Sequence, residues 1–185
     1  MKSILLSIKP KYVELIASGE KTIEVRKTAP KEVPFKCYIY ETKGQYVKFT
    51  HGAHTKYGYG RGKVIGEFIC DKVYSIKNRG SSFSVADEEQ SVTNEIARQS
   101  CLYYDDMVSY FGNKDGYGWH ISDLKIYDKP KELGDFKKHC HYKDRNSYCL
   151  ANECEYYSDW TGICCNWVER PPLSWCYVED LGEEE

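Results

Sequence analysis

Apolar residues along this chain fall into short runs separated by glycine, proline, asparagine and serine. Ser3–Ile8, "SILLSI", predicts a short buried strand. Pro10 suits the first turn of a following helix whose apolar side holds Tyr12, Val13, Leu15 and Ile16, and Gly19 is its natural stop. Strands are predicted at Thr22–Arg26 and Lys36–Glu41 by alternation and β-propensity. Gly44–Gly62 predicts a long loop or irregular hairpin. Lys63–Tyr74 predicts one strong strand with Gly66 marking a bulge. After a loop at Asn78–Ser84, helical spacing runs from Ser91 to Gly112. Tyr117–Pro130 predicts another strand, Lys131–Lys138 a short helix, and Pro171–Val178 a closing strand. Strands outnumber helices, so the expected class is α+β: a mixed or antiparallel barrel with helices outside. The 185 residues read as one domain, with an irregular cysteine-rich insertion at 139–170 and an acidic tail at 179–185.

The strand Thr22–Arg26 has two unlike faces. Side chains alternate along a strand, so Ile23 and Val25 point one way and Thr22, Glu24 and Arg26 the other. Lys21 stands at its start. Ile23 and Val25 are expected to anchor the strand in the core. The polar face reads either as a surface ion-pair row, worth little in stability, or as the wall of a ligand cleft.

Charge sharpens that choice. Net charge is only -2, but residues 1–80 hold 16 Lys+Arg against 7 Asp+Glu, whereas residues 81–185 hold 10 against 21. Such a split suggests a basic face that meets an anion, unless the halves interleave in space. The balance does not suit a general nucleic-acid coat. The loop "HGAHTKYGYGRGK" adds Tyr57, Tyr59, Arg61 and Lys63, which suit a phosphate backbone and a stacked base. Trp119 is a further aromatic candidate. No run resembles a signal peptide or a membrane span, so a cytoplasmic location is expected, with the nine cysteines as thiols or metal ligands.

Gly19-x-Lys21-x-x-Glu24-x-Arg26 after a short helix resembles the "GxKxxExR" hallmark of the ASCH domain family, whose fold is similar to the PUA domain, a small pseudo-barrel. "SILLSIKPKYVELIASGEKTIEVRK", "GKVIGEFICDKV" and "GYGWHISDLKIYDKP" resemble its successive strands, and "RPPLSWCYV" a closing strand of phage-associated and gut-bacterial members. The resemblance implies a PUA-like mixed barrel and an RNA- or nucleotide-binding cleft lined by Lys21, Glu24 and Arg26. It also raises an enzymatic alternative. Some small ASCH-like proteins hydrolyse the acetyl amide of N4-acetylcytidine with a lysine, a threonine and a glutamate. Lys21 matches the lysine, but Glu24 replaces the threonine, and the glutamate position falls near Ser100, with Glu95 the nearest carboxylate before it. A hydrolase acting on a modified nucleoside or RNA would rely on Lys21 and Glu24. A Cys101–His120 nucleophile pair is a weaker option, since nothing in the sequence brings the two together.

Six cysteines lie between 140 and 176 in a polar segment poor in aliphatics. Zinc would clip it through Cys140, Cys149, Cys154 and Cys165, with Cys164 or His141 as substitutes, in a closed structural site. The alternative is a loop of unligated thiols. Such an insertion could serve a protein partner, a third reading of function. Cys37, Cys70 and Cys176 read as packing residues.

Overall fold

The computed structural model describes residues 1–48, 56–138, 157–158, 163–164 and 166–182. The chain opens with β1 (Lys2–Ile8), α1 (Pro10–Ala17), β2 (Ile23–Arg26) and β3 (Phe35–Glu41). β1 and β3 pair in parallel, which requires a crossover, and α1 with β2 supplies it. A ribbon of β4 (Gly44–Lys48) and β5 (Lys56–Gly60) follows, so the long loop is a regular hairpin at its base.

Two expected single strands are each two strands in different sheets. β6 (Lys63–Cys70) breaks at Asp71–Lys72 into β7 (Val73–Asn78), which pairs with β8 (Phe83–Val85). β9 (Gly116–His120) breaks at Ile121 into β10 (Ser122–Lys131). The last elements are the two-residue strands β11 (Tyr157–Ser158) and β12 (Ile163–Cys164), then β13 (Trp175–Val178). One sheet has the order β10-β6-β3-β1-β13, and a second the order β2-β9-β7-β8. Among the described residues the ladders stay separate, and none closes a barrel. Register shifts between Ile39 and Tyr40 opposite Gly66 and Val64, as the glycine suggested. Gly66 is also bare where the β10 backbone, at Lys125 and Ile126, comes against it.

Three apolar clusters hold these layers. The first fills the space between the sheets with Ile4, Leu6, Ile8, Phe35, Ile39, Phe68 and Trp119. Trp119 is fully buried, edge-on to Phe35 at 5.2 Å and to Trp175 at 5.9 Å. The expected long helix is two: α2 (Gln90–Ser100) and α3 (Tyr104–Phe111), divided at Cys101, whose φ of 52° ends α2. Both pack on the second sheet through Ile23, Val25, Ile76, Ile96, Met107 and Phe111. Ile23 and Val25 are core residues, as expected, and the core they anchor β2 to is the one shared with these helices.

The third cluster joins Leu5, Tyr38, Tyr40, Val64 and Val178 to Phe136 and Val168. Residues 132–138 form a 3-10 turn at Leu133–Asp135, not a longer helix, and then pair with 166–168. Val168 N donates to Phe136 O at 2.8 Å and Lys138 N to Asn166 O at 2.8 Å. Cys37 and Cys70 are buried in the first cluster and Cys176 packs against the third. Cys140, Cys149, Cys154 and Cys165, and with them His141, lie outside the described residues. Among the described residues no three His, Cys, Asp or Glu converge as a metal site, and no helix is long and apolar enough to cross a membrane.

The ring of Phe136 meets Tyr38 at 4.9 Å and is wholly buried. Phe136→Ala is expected to cost about 3–5 kcal/mol, because truncation leaves a cavity as well as losing buried area. Urea unfolding measures it. A loss below about 1 kcal/mol would mean that this cluster does not support the five-stranded sheet.

Candidate functional site

The polar face of β2 is buried. Lys21 is 2% exposed, Glu24 5% and Arg26 7%. Glu24 lies opposite Trp119 in the β2–β9 ladder, and directly paired residues share a face. The polar row therefore looks toward the space between the sheets, beside the first apolar cluster, and not out into solvent.

Local folding sets each member. The turn after α1 is fixed by Lys21 N donating to Leu15 O at 2.9 Å, and Thr22 N donates to Gln99 O at 3.0 Å. These bonds bring the end of α2 against the start of β2. Lys21 Nζ then donates to Ile23 O at 2.8 Å and to Ser100 O at 2.5 Å, and forms an ion pair with Glu24 Oε2 at 3.4 Å. A cation on the last carbonyl of a helix also meets the negative end of its dipole. The Tyr12 ring lies 5.4 Å from the same nitrogen. Glu24 Oε1 accepts from an Arg26 terminal nitrogen at 2.8 Å, and that nitrogen also donates to Ser7 O at 2.8 Å. Ser7 Oγ in turn donates to Pro172 O at 2.7 Å. One row of charges thus joins α2, β2, β1 and the approach to β13.

Not every polar atom in the row is satisfied. Arg26 Nε is buried without a hydrogen-bond partner, and Glu24 Oε2 has only the 3.4 Å ion pair with Lys21. Both residues line a cleft of about 660 Å³ whose other walls include Ser7–Lys9, Lys11, Tyr12, Thr42, Leu102, Asp106, Tyr110 and Pro171–Leu173. Lys9 and Lys11 are exposed at its rim, so its charged lining is Lys9, Lys11, Lys21 and Arg26 against Glu24 and Asp106. Burial lowers the pKa of Lys21 from 10.5, with Glu24 opposing the shift. The sign follows directly. Below its folded pKa, Lys21 must stay charged in a dry site, and this costs stability; the cost is relieved as pH rises toward 10.5.

The other expected site residues do not join the cleft lining. Trp119 is sealed in the core, so it presents no surface to a ligand. Tyr57 and Tyr59 stand on β5 at 56% and 72% exposure. The Arg61 side chain is largely exposed, with Glu41 Oε2 accepting from its backbone N at 2.8 Å. Lys63 pairs with Glu132 at 2.5 Å. Cys101 and His120 have separate partners: the thiol donates to Glu20 O at 3.4 Å, and His120 Nδ1 sits 2.6 Å from Asp71. Burial raises the Cys101 pKa, the opposite of an activated thiolate. Ser100 contributes its carbonyl, and Glu95 pairs with Arg98 on the exposed side of α2. The walls from α3 and residues 171–173 escaped sequence reasoning, although Asp106 and the Pro-Pro-Leu run stood in plain view. A larger hollow, about 820 Å³, runs along β10 and residues 180–182. There Lys36 pairs with Asp180 at 3.1 Å, and Glu67 accepts a hydrogen bond from the Tyr127 hydroxyl.

Lys21→Met keeps the side-chain volume but strands two buried carbonyls and the Glu24 carboxylate. Removing one member of a buried charge pair is expected to cost about 3 kcal/mol or more. Denaturant unfolding reads this, and a change under about 1 kcal/mol would show that the row does not tie α2 to β2.

Comparison with known proteins accords with this fold. The sequence profile of the ASCH domain matches residues 6–161. The chain is similar to the crystal structure of ASCH from Zymomonas mobilis, with 16% identity, a TM-score of 0.54, and coverage of 96% of this chain and 88% of that one. Two single-residue variants of that protein superpose alike, at TM-scores of 0.54 and 0.53, each with 16% identity; they cover 97% and 96% of this chain and 91% and 89% of their own. No protein of curated function matches the sequence. At this identity the structures speak for the fold alone; with a profile match spanning most of its length, the chain belongs to the ASCH domain family.

Proposed function

We propose that the cleft binds RNA or a nucleotide-like ligand, with Lys9 and Lys11 drawing the phosphate and the Lys21–Glu24–Arg26 row meeting the base or sugar. The observation that carries this reading is the open, net-basic cleft itself, in which Lys9, Lys11, Lys21 and Arg26 outnumber Glu24 and Asp106. A carboxylate oxygen suits a base amino group, and a guanidinium N–H suits a carbonyl or phosphate oxygen. ASCH membership supports the same class of ligand, because RNA binding is the role generally proposed for the domain.

Binding is favoured over hydrolysis by the bonding of Lys21. Nζ donates to Ile23 O and Ser100 O and is ion-paired with Glu24, so it is committed to fixed partners inside the fold. Only 2% of Lys21 is exposed, which leaves a substrate little approach to the nitrogen. Its role is to fix Glu24.

Lys9→Ala/Lys11→Ala tests the cleft without disturbing the buried row, since both side chains are at the rim. Short labelled single-stranded RNA, titrated by fluorescence anisotropy at several salt concentrations, should bind the variant more weakly. The slope of log K against log salt should become shallower by about 1.4 if two phosphate contacts are lost. An unchanged slope would mean that the rim does not contact phosphate.

A further inference from the structure

The β4–β5 ribbon is not part of the cleft, and its outer face is unusual. Strand alternation places Tyr57 and Tyr59 on one face of β5 and Gly58 and Gly60 on the other. The glycine face is the inner one. A side chain at Gly60 would collide with Thr42 O and Pro10, and one at Gly58 with the Tyr46 ring. Bare backbone therefore lets the ribbon lie against the start of α1. Cross-strand pairing adds Gln45, opposite Tyr59, and Val47, opposite Tyr57, to the outer face. Tyr57 is 56% exposed, Tyr59 72% and Val47 48%. Two tyrosines and a valine in water on one small face are available to an occupant.

Charge selects that occupant. Residues 42–63 carry five Lys+Arg and no Asp or Glu. An aromatic face within a purely basic segment fits a polyanion with flat apolar groups. The two tyrosines stand two residues apart, about 6.7 Å along the strand. That is about twice the ~3.4 Å rise per nucleotide of one duplex strand, so each ring suits a separate, splayed base. The ribbon is also continuous with the cleft. Thr42, which lines the cleft, precedes β4 by two residues, and its N donates to Ile8 O at 2.9 Å.

We infer that the outer face of the β4–β5 ribbon is a second contact site for single-stranded RNA, in which Tyr57 and Tyr59 each stack one base of a strand that continues out of the cleft. This rests on the proposed cleft function and extends it from a nucleotide to a strand of several nucleotides. Arg61, just after β5 and only loosely associated with Glu41 at 3.9 Å, is placed to meet phosphate.

The test uses labelled oligouridine of four and of twelve nucleotides with the full chain. Variants are Tyr57→Ala/Tyr59→Ala, Tyr57→Phe/Tyr59→Phe and Lys9→Ala/Lys11→Ala, each checked for a wild-type melting transition. The twelve-mer should bind wild type more tightly than the four-mer. The alanine pair should lose that gain, about tenfold or more, because a stacked base is worth roughly 1–3 kcal/mol, while the phenylalanine pair keeps it. A twelve-mer no tighter than the four-mer, or equal affinity in the alanine pair, overturns the ribbon site. If that happens while the lysine pair weakens binding, the cleft reading stands alone. If the alanine pair fails to bind but the lysine pair binds as wild type, the ribbon stands and the cleft reading falls. No binding by wild type overturns both.

Discussion

The burial of Lys21, Glu24 and Arg26 between a helix end and two sheets is the constraint that organises this molecule. Three charged groups under 10% exposure would be prohibitive singly, and they persist because each supplies what another lacks. Lys21 closes the final carbonyl of α2 and faces Glu24; Glu24 faces Arg26; Arg26 reaches the backbone of β1. The chain of contacts decides where α2 ends, how β2 lies on β9, and how β1 meets the segment before β13. The cleft is the gap left on the open side of that row. Its position follows from the same bonds that hold the fold.

Much of this was legible in the sequence, and what was not has a physical cause. Alternation in "TIEVR" gave the two faces of β2 correctly, and Ile23 and Val25 are core residues as expected, but it did not say which layer would cover them. Alternation says that Ile23 and Glu24 point apart; it does not say what covers each side. Here helices cover Ile23 and Val25, while the polar row is sealed by pairing. The runs Lys63–Tyr74 and Tyr117–Pro130 read as single strands because both halves of each are alternating or apolar and no glycine or proline divides them. The breaks at Asp71–Lys72 and Ile121 occur where the chain passes from one sheet to the other. His120 N bonds Lys72 O and Ile121 N bonds Thr22 O, contacts between residues far apart in sequence that no local pattern can report. The division between α2 and α3 is similar. Cys101 in a left-handed conformation ends α2, and a cysteine gives no warning of that.

The aromatic candidates show the same distinction between composition and place. Trp119 and Tyr59 are both aromatic residues on short strands, Tyr59 with a glycine on each side and Trp119 with Gly118 before it. Trp119 is wholly buried because β9 is an inner strand and its ring fills the gap against Phe35 and Trp175. Tyr59 is exposed because β5 belongs to a two-stranded ribbon with one face against α1 and, among the described residues, no third strand beside it. Glycine beside an aromatic marks close packing of backbone on one face in both cases. Which face is covered depends on the neighbouring layer, and that is a property of topology.

A buried ionic row is an expensive way to join a helix to a strand. Apolar side chains of similar size would often do so with equal or greater stability. A row kept purely for structure would be expected to satisfy all its atoms, as the carbonyls around Lys21 are satisfied. Instead Arg26 Nε has no hydrogen-bond partner, in a residue that lines the cleft. Departures from full internal pairing are expected where a site is shaped for something outside the chain. Lys21, engaged by two carbonyls and Glu24, holds the row in place, so this wall of the cleft is ordered by the same contacts that join α2 to β2.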